Sequence, residues 1–369
     1  MIYILQCVND MHRAGLETMI MNYYRKMDRD KIQFGFLTHR PERSDFDEEI
    51  ESMGGKMYYA PRLLPQNCLS YFKWMRAFFE THREYQIVHS HIDSMSYFPL
   101  LAAKRSNISV RIAHSHSTSI DRDFKYPFKQ IFRLKLDEVA THRFACGNAA
   151  GNFLFRGKSF QIIPNAVDAQ LFLFDEKKRK QKRKDLGIED AFVVGHVGRF
   201  SYPKNHKFLI DIFGKVLQKE PNSVLLLVGT GEKEEKIRAY VSELHLENKV
   251  RFLGNRSDVN ELYQTMDVFV LPSFFEGLPL VGLEAQFSDL PCVFSDKVPA
   301  EVKFNDDVHF VGLEESPTRW AEIILERKRK ERTCRRASII NSQFDINNAY
   351  KILEQQYEKL YETISTDMF

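Results

Sequence analysis

The sequence predicts an α/β protein made of two doubly wound, parallel-sheet domains. Three observations point there. Short apolar runs rich in β-branched residues alternate with longer stretches of helical period. Runs such as VLLLVG and DVFVLP are apolar throughout, as strands covered on both faces are. The alternation falls into two blocks, parted by a polar, charge-heavy stretch that follows Pro164-Asn165.

In the first block strands are expected at 2–8, 32–38, 86–90, 109–114, 142–146 and 160–164. In the second they are expected at 192–198, 223–229, 249–253, 267–271, 291–295 and 308–311. Helical periodicity fills most gaps, for example 16–28, 69–82, 206–219, 233–245 and 279–288. This gives a first domain over 1–165, a linker over 166–190 and a second domain over 191–344. Ile346, Tyr350, Leu353, Tyr357, Leu360 and Tyr361 recur at helical spacing. The tail 345–369 is therefore expected to close as an amphipathic helix on the first domain.

A chain of 369 residues exceeds what one core usually holds. A net charge of +3 is too small to imply nucleic-acid binding by itself. Cys7, Cys68, Cys146, Cys292 and Cys334 are scattered without a CxxC pair, which argues against disulfides and structural zinc and fits a reducing cytosol. The opening MIYILQCVND lacks a basic leader and reads as a buried strand, and no later stretch approaches 18 uninterrupted apolar residues. Any membrane association is then peripheral.

The strongest chemical signal is SFFEGLPLVGLEA, residues 273–285. Glu276 sits after the strand DVFVLP, where α/β folds place ligands. Gly277, Leu278 and Pro279 form a turn into a helix whose first amides, to Leu280, face an anion or sugar hydroxyls. Glu284, about a turn and a half on, points back to the same crevice. The bland alternative is an acidic helix start plus one solvated glutamate. In GHVGRFSYPKNH, residues 195–206, a strand ends at Gly198, and Arg199 and Lys204 flank the loop. A planar fork and a point charge together suit a diphosphate and offset the charge of a departing one. Gly229-Thr230-Gly231 is a glycine-bearing strand-to-helix turn without the GxGxxG spacing. Ala14-Gly15 opens the first helix, and a small residue there lets backbone approach phosphate.

Other features are weighed against plainer readings. His89-Ser90-His91 and His114-Ser115-His116 end strands, but no carboxylate set accompanies them, so metal binding is the minority reading. His116 is the one expected to touch substrate. Asp28-Arg29-Asp30, Asp45-Phe46-Asp47 and Asp121-Arg122-Asp123 lie in charged contexts and read as solvated. KKRKQKRK, residues 177–184, reads as an exposed helix, with a nuclear-localisation or nucleic-acid patch as the alternative. Residues 122–135 interleave Arg122, Lys125, Lys129, Arg133 and Lys135 with Phe124, Tyr126, Phe128 and Phe132. An anionic membrane surface and a helix with aromatics in the core suit that pattern equally.

Together with RIAHSHS, FACGNAAG, IIPNAVD, LLLVGTGE and VRFLGNRSDV, these segments resemble retaining glycosyltransferases of family 4, of capsular and exopolysaccharide type. The resemblance covers nearly the whole chain and is more specific in its second half. It implies the GT-B fold, two Rossmann-like domains facing each other across a donor-binding cleft. It implies that Arg199 and Lys204 bind the donor diphosphate, and that Glu284 holds the ribose. Glu276 and the amides of Gly277, Leu278 and Leu280 would lie at the transferred sugar, with Gly229 and Pro279 in the donor-binding turns. Gly15 would approach the diphosphate, and His116 would line the catalytic cleft. It further implies front-face displacement with no metal or other cofactor. A UDP-sugar donor, a lipid-linked saccharide acceptor and a cytoplasmic, peripheral-membrane location follow, with no nucleic-acid partner. The chain departs from the family where Ala14-Gly15 replaces Gly-Gly, Asn165-Ala166 replaces Asn-Gly and Cys146-Gly147-Asn148 replaces a serine turn. Rival readings are a sugar-nucleotide epimerase of the same fold and a non-catalytic sugar-nucleotide-binding or membrane scaffold.

Overall fold

The computed structural model describes residues 1–64, 67–120, 126–328, 332 and 342–366. The chain divides into two compact units, Met1–Ala166 with Ile346–Phe369, and Val167–Asp345.

The first unit carries a seven-stranded sheet. Its strands are β1 (Ile2–Val8), β2 (Ile32–Thr38), β3 (Lys56–Tyr59), β4 (Tyr85–Ser90), β5 (Val110–Ser115), β6 (His142–Ala145) and β7 (Gln161–Ile162). They lie in the order β3-β2-β1-β4-β5-β6-β7, with every pairing parallel. Parallel neighbours need crossover helices, and these cover both faces, so β1 and β2 are buried along nearly their whole length. β3 is a strand that the apolar pattern does not announce, because KMYY is a half-buried edge strand. The last strand is shorter than the expected 160–164, stopping before Pro164. The helix Ile346–Thr366 belongs to this unit and buries Ile346, Leu353, Tyr357 and Leu360. Tyr350 and Tyr361 of the same pattern stay partly exposed.

The second unit carries a six-stranded sheet of β8 (Phe192–Val197), β9 (Ser223–Val228), β10 (Val250–Gly254), β11 (Val268–Leu271), β12 (Cys292–Ser295) and β13 (Val308–Val311). The order is β10-β9-β8-β11-β12-β13, again all parallel. The chain runs outward from β8 to β10, then returns to the other side of β8 as β11. That reversal leaves a crevice at the carboxyl ends of β8 and β11, the usual ligand position in such sheets.

The surface differs from the sequence expectation at two places. The run 177–184 lies within the helix Glu176–Asp185, whose N-terminus is capped by the Asp175 carboxylate. It is not simply exposed, because Arg183 is 7% accessible. Arg179 and Arg183 bond the carbonyls of Gln264, Thr265 and Met266, and both pair with Asp267. Lys182 pairs with Asp258 at 2.5 Å and Glu261 at 2.7 Å. Arg179 and Arg183 answer the carbonyl end of the helix Val259–Thr265, where positive charge is favoured, whereas Lys182 meets the acidic residues at its start. Asp47, read as solvated, is fully buried and accepts from the Tyr59 hydroxyl at 2.6 Å and the Ser44 amide at 3.0 Å. Asp121, Asp123, Arg122, Phe124, Lys125 and Cys334 lie outside the described residues.

Candidate functional site

The loops after β8 and β11 are stitched together at the crevice. After β8 the chain makes a short turn at Tyr202–Lys204, and Asn205, at φ 55°, ψ 43°, starts the helix His206–Lys219. Asparagine tolerates that left-handed conformation better than most residues. Its side chain donates to the Pro272 carbonyl at 3.1 Å, and the Phe274 amide donates to the Pro203 carbonyl at 2.8 Å. The rings of Tyr202 and Phe274 stack at 4.9 Å. Between these ties the structure joins two predicted site residues, with Lys204 Nζ 2.7 Å from Glu276 Oε1. Their side chains are 17% and 12% exposed, so the pair is largely out of bulk solvent yet reachable. Ser273 Oγ donates to the same carboxylate oxygen at 2.6 Å, and the Ser273 carbonyl is itself held by Ser295. Lys204 has three N–H donors and, among the described residues, spends one on Glu276, leaving two for a ligand's oxygens.

The glycines here make room. A Cβ on Gly198 would press on the Lys204 stem at 3.3 Å and on His196 at 3.0 Å. Gly229, at φ 127°, lets its turn approach the Gly198 carbonyl, which a side chain would strike. The Phe200 amide then reaches the Thr230 carbonyl at 3.0 Å. Gly229 thus shapes the turn that carries Arg199 and Lys204.

Pro279 caps the helix Leu280–Phe287, with its carbonyl accepting from the Gly282 and Leu283 amides. Leu278 and Leu280 are buried, which fixes the turn holding Gly277. Glu284 lies inward on this helix, 9% exposed, and accepts from the Tyr263 hydroxyl at 2.9 Å. Burial pushes its carboxyl up to about 7, against which the Tyr263 bond acts. Arg199 stands apart in environment, with its side chain 71% exposed and paired with Glu232 at 3.5 Å. The sequence pattern does not point to Ser273, Asn205 or Tyr263 as site residues. The first two lie inside the recognised segments, whereas Tyr263 gives no local signal of its partner 21 residues on.

In the first unit Gly15 opens the helix Gly15–Lys26, and a Cβ there would meet nothing within 4 Å. His116 follows β5. Its backbone amide donates to Asp93 Oδ1 at 3.0 Å, and Asp93 holds φ 45° and a carboxyl raised by burial to about 6. His89, His91 and His114 bring ring nitrogens within 4.8 Å of one another, a spacing that invites a metal. Both nitrogens of His89 and both of His91 are already hydrogen-bonded, so an ion would have to break those bonds. The donor set therefore fits a hydrogen-bond network better than an ion.

Comparison with known proteins agrees with this architecture. Residues 13–171 match the model described as Glycosyltransferase Family 4, and residues 178–342 match Glycosyl transferases group 1. A Bacillus subtilis protein named as a glycosyltransferase, EpsF, is 36% identical over 87% of this chain and 86% of its own length. The chain belongs to the family 4 glycosyltransferases. It is an enzyme of the transferase class with the GT-B fold. The capsular polysaccharide biosynthesis glycosyltransferase CapH of Staphylococcus aureus is 25% identical over 97% of this chain and 99% of its own. HepE of Anabaena, solved with UDP and glucose, superposes with a TM-score of 0.80 at 20% identity, covering 98% of this chain and 99% of that one.

Proposed function

We propose that this glycosyltransferase moves a hexose or N-acetylhexosamine from a UDP-sugar to a lipid-linked saccharide during cell-surface polysaccharide synthesis, retaining anomeric configuration. The observation that carries the reading is the Lys204–Glu276 pair at the crevice where the second sheet reverses. Lys204, with Arg199, takes the diphosphate oxygens and stabilises the charge that grows as UDP departs. The amides of Gly277, Leu278 and Leu280 and the carboxylate of Glu276 hold the sugar, and Glu284 accepts from the ribose hydroxyls. In the first unit, Gly15 allows close phosphate approach and His116 takes a sugar hydroxyl. In the front-face displacement a leaving phosphate oxygen takes the acceptor proton, and Arg199 and Lys204 offset the diphosphate charge in place of a metal.

Relatives support the donor and acceptor classes. An Escherichia coli enzyme named UDP-Gal:alpha-D-GlcNAc-diphosphoundecaprenol alpha-1,3-galactosyltransferase is 28% identical over 58% of this chain and 58% of its own. The membrane-facing element we assign is the helix Tyr126–Lys135, where Phe128, Ile131 and Leu134 are 55%, 48% and 53% exposed beside Lys129, Arg133 and Lys135. Phe132 of the same helix packs into the core. Among the described residues no helix is long and apolar enough to cross a membrane. The test is incubation with UDP-hexoses and an undecaprenyl-diphosphate-linked sugar, with NMR of the new linkage. An α-linked product from an α-configured donor is expected. An inverted linkage, or epimerised donor without transfer, would overturn the reading.

A further inference from the structure

The four histidines form one continuous chain of hydrogen bonds with Gln6 and Tyr357. Gln6 Nε2 donates to the Tyr357 hydroxyl at 3.1 Å, and that hydroxyl lies 2.6 Å from His89 Nδ1. His89 Nε2 continues to His114 Nδ1 at 3.0 Å. On the other arm, Gln6 Oε1 is 2.8 Å from His91 Nε2, and His91 Nδ1 is 2.9 Å from His116 Nε2. Burial holds all four rings in the neutral form, with His116 at about 3.

A neutral imidazole has one N–H and one lone pair, so each bond dictates the next. The Gln6 oxygen can only accept, hence His91 carries its proton on Nε2. His91 Nδ1 must then accept, which places the His116 proton on Nε2. Nδ1 of His116, which takes no bond from any described residue, is left as a bare acceptor. On the other arm Tyr357 accepts from Gln6 and so donates to His89, which donates to His114. His114 Nε2 ends that arm without a partner among the described residues. Reversing one amide would reverse every bond and turn Nδ1 of His116 into a donor.

We propose that Gln6 is a positioning residue that, through His91, fixes the tautomer of His116 so that Nδ1 accepts a hydrogen bond from a sugar hydroxyl. The inference rests on the assignment of His116 to the sugar, but the tautomer is readable without any sugar. Gln6 lies on β1, the strand beside β4, so a residue 85 positions from His91 settles that ring's polarity.

The experiment is long-range 15N–1H correlation NMR on protein labelled at histidine nitrogens. In the wild type the His116 ring should show a protonated Nε2 and a bare Nδ1. Gln6→Leu should yield a mixture of tautomers and lower kcat roughly tenfold, with donor KM within about twofold. Gln6→Glu, whose buried neutral carboxyl presents a carbonyl oxygen to His91 and an O–H to Tyr357 as the amide does, should restore both the tautomer and kcat. A protonated Nδ1 in the wild type, or a His116 signal unmoved in folded Gln6→Leu, would overturn the proposal. Should Gln6→Leu fail to fold, the wild-type spectrum still decides. Full transfer by His116→Ala would remove the catalytic assignment and leave the tautomer result intact.

Discussion

Glu284 offers a prediction in which stability and binding move in opposite directions. Its carboxyl is raised from 4.5 to about 7 by burial. A carboxyl with a raised pKa binds its proton more tightly in the folded protein than in the unfolded chain. Its contribution to stability is therefore fullest below 4.5 and is lost as pH rises towards 7. The difference between those values corresponds to about 3 kcal/mol at pH 8 as an order of magnitude. Replacing the acid by Glu284→Gln keeps the shape and removes the buried charge, so the variant should resist urea better at pH 8 and equally at pH 4. Ligand binding should go the other way. If the carboxylate accepts from the ribose, only the ionised fraction binds well, about a tenth at pH 6 and nine tenths at pH 8. UDP-glucose affinity measured by calorimetry should then rise about tenfold over that range. UDP-glucose is the suitable probe because its diphosphate, unlike the terminal phosphate of UDP, does not titrate near pH 6. Glu284→Gln should bind weakly and without pH dependence. A wild-type affinity that stays flat from pH 6 to 8, or a variant less stable than wild type at pH 8, would refute the reasoning.

Three other outcomes follow from the geometry. Gly229→Ala forces a Cβ against the Gly198 carbonyl at φ 127°, and urea denaturation should show a loss of about 2 kcal/mol or more. Arg183→Ala leaves the Asp267 carboxylate and the Thr265 carbonyl short of a partner, at a cost of about 3 kcal/mol by the same measurement. Replacing Phe128, Ile131 and Leu134 together by serine should abolish co-sedimentation with phosphatidylglycerol vesicles without lowering the melting temperature, since these side chains are already exposed.

Much of the architecture is legible because strands buried on both faces must be apolar throughout. SVLLLV and VFVL, buried at every position, announce themselves for that reason. KMYY does not, because an edge strand with half-buried positions carries no such constraint. The site is legible to the extent that chemistry follows strands in sequence. Lys204 and Glu276 can each be placed after a strand, but their meeting depends on β11 lying beside β8, and strand order is not written locally. Charge patterns mislead where tertiary partners exist. Asp47 reads as surface until Tyr59 and Ser44 are found around it, and Arg183 until the end of a neighbouring helix is found beneath it. The histidine network is hidden for the same reason, since Gln6 and Tyr357 lie at opposite ends of the chain.

The account's central claim is that Lys204 and Glu276 act together on a nucleotide-sugar donor. Its most direct test is the rate of UDP release from donor and acceptor by wild type, Lys204→Met, Glu276→Gln and the double variant, each confirmed folded. Each single change should slow release at least about a hundredfold, as loss of transition-state charge stabilisation does. The double variant should be little slower than the slower single, because the two side chains work as a unit. Turnover near the wild-type rate in both single variants would contradict the account.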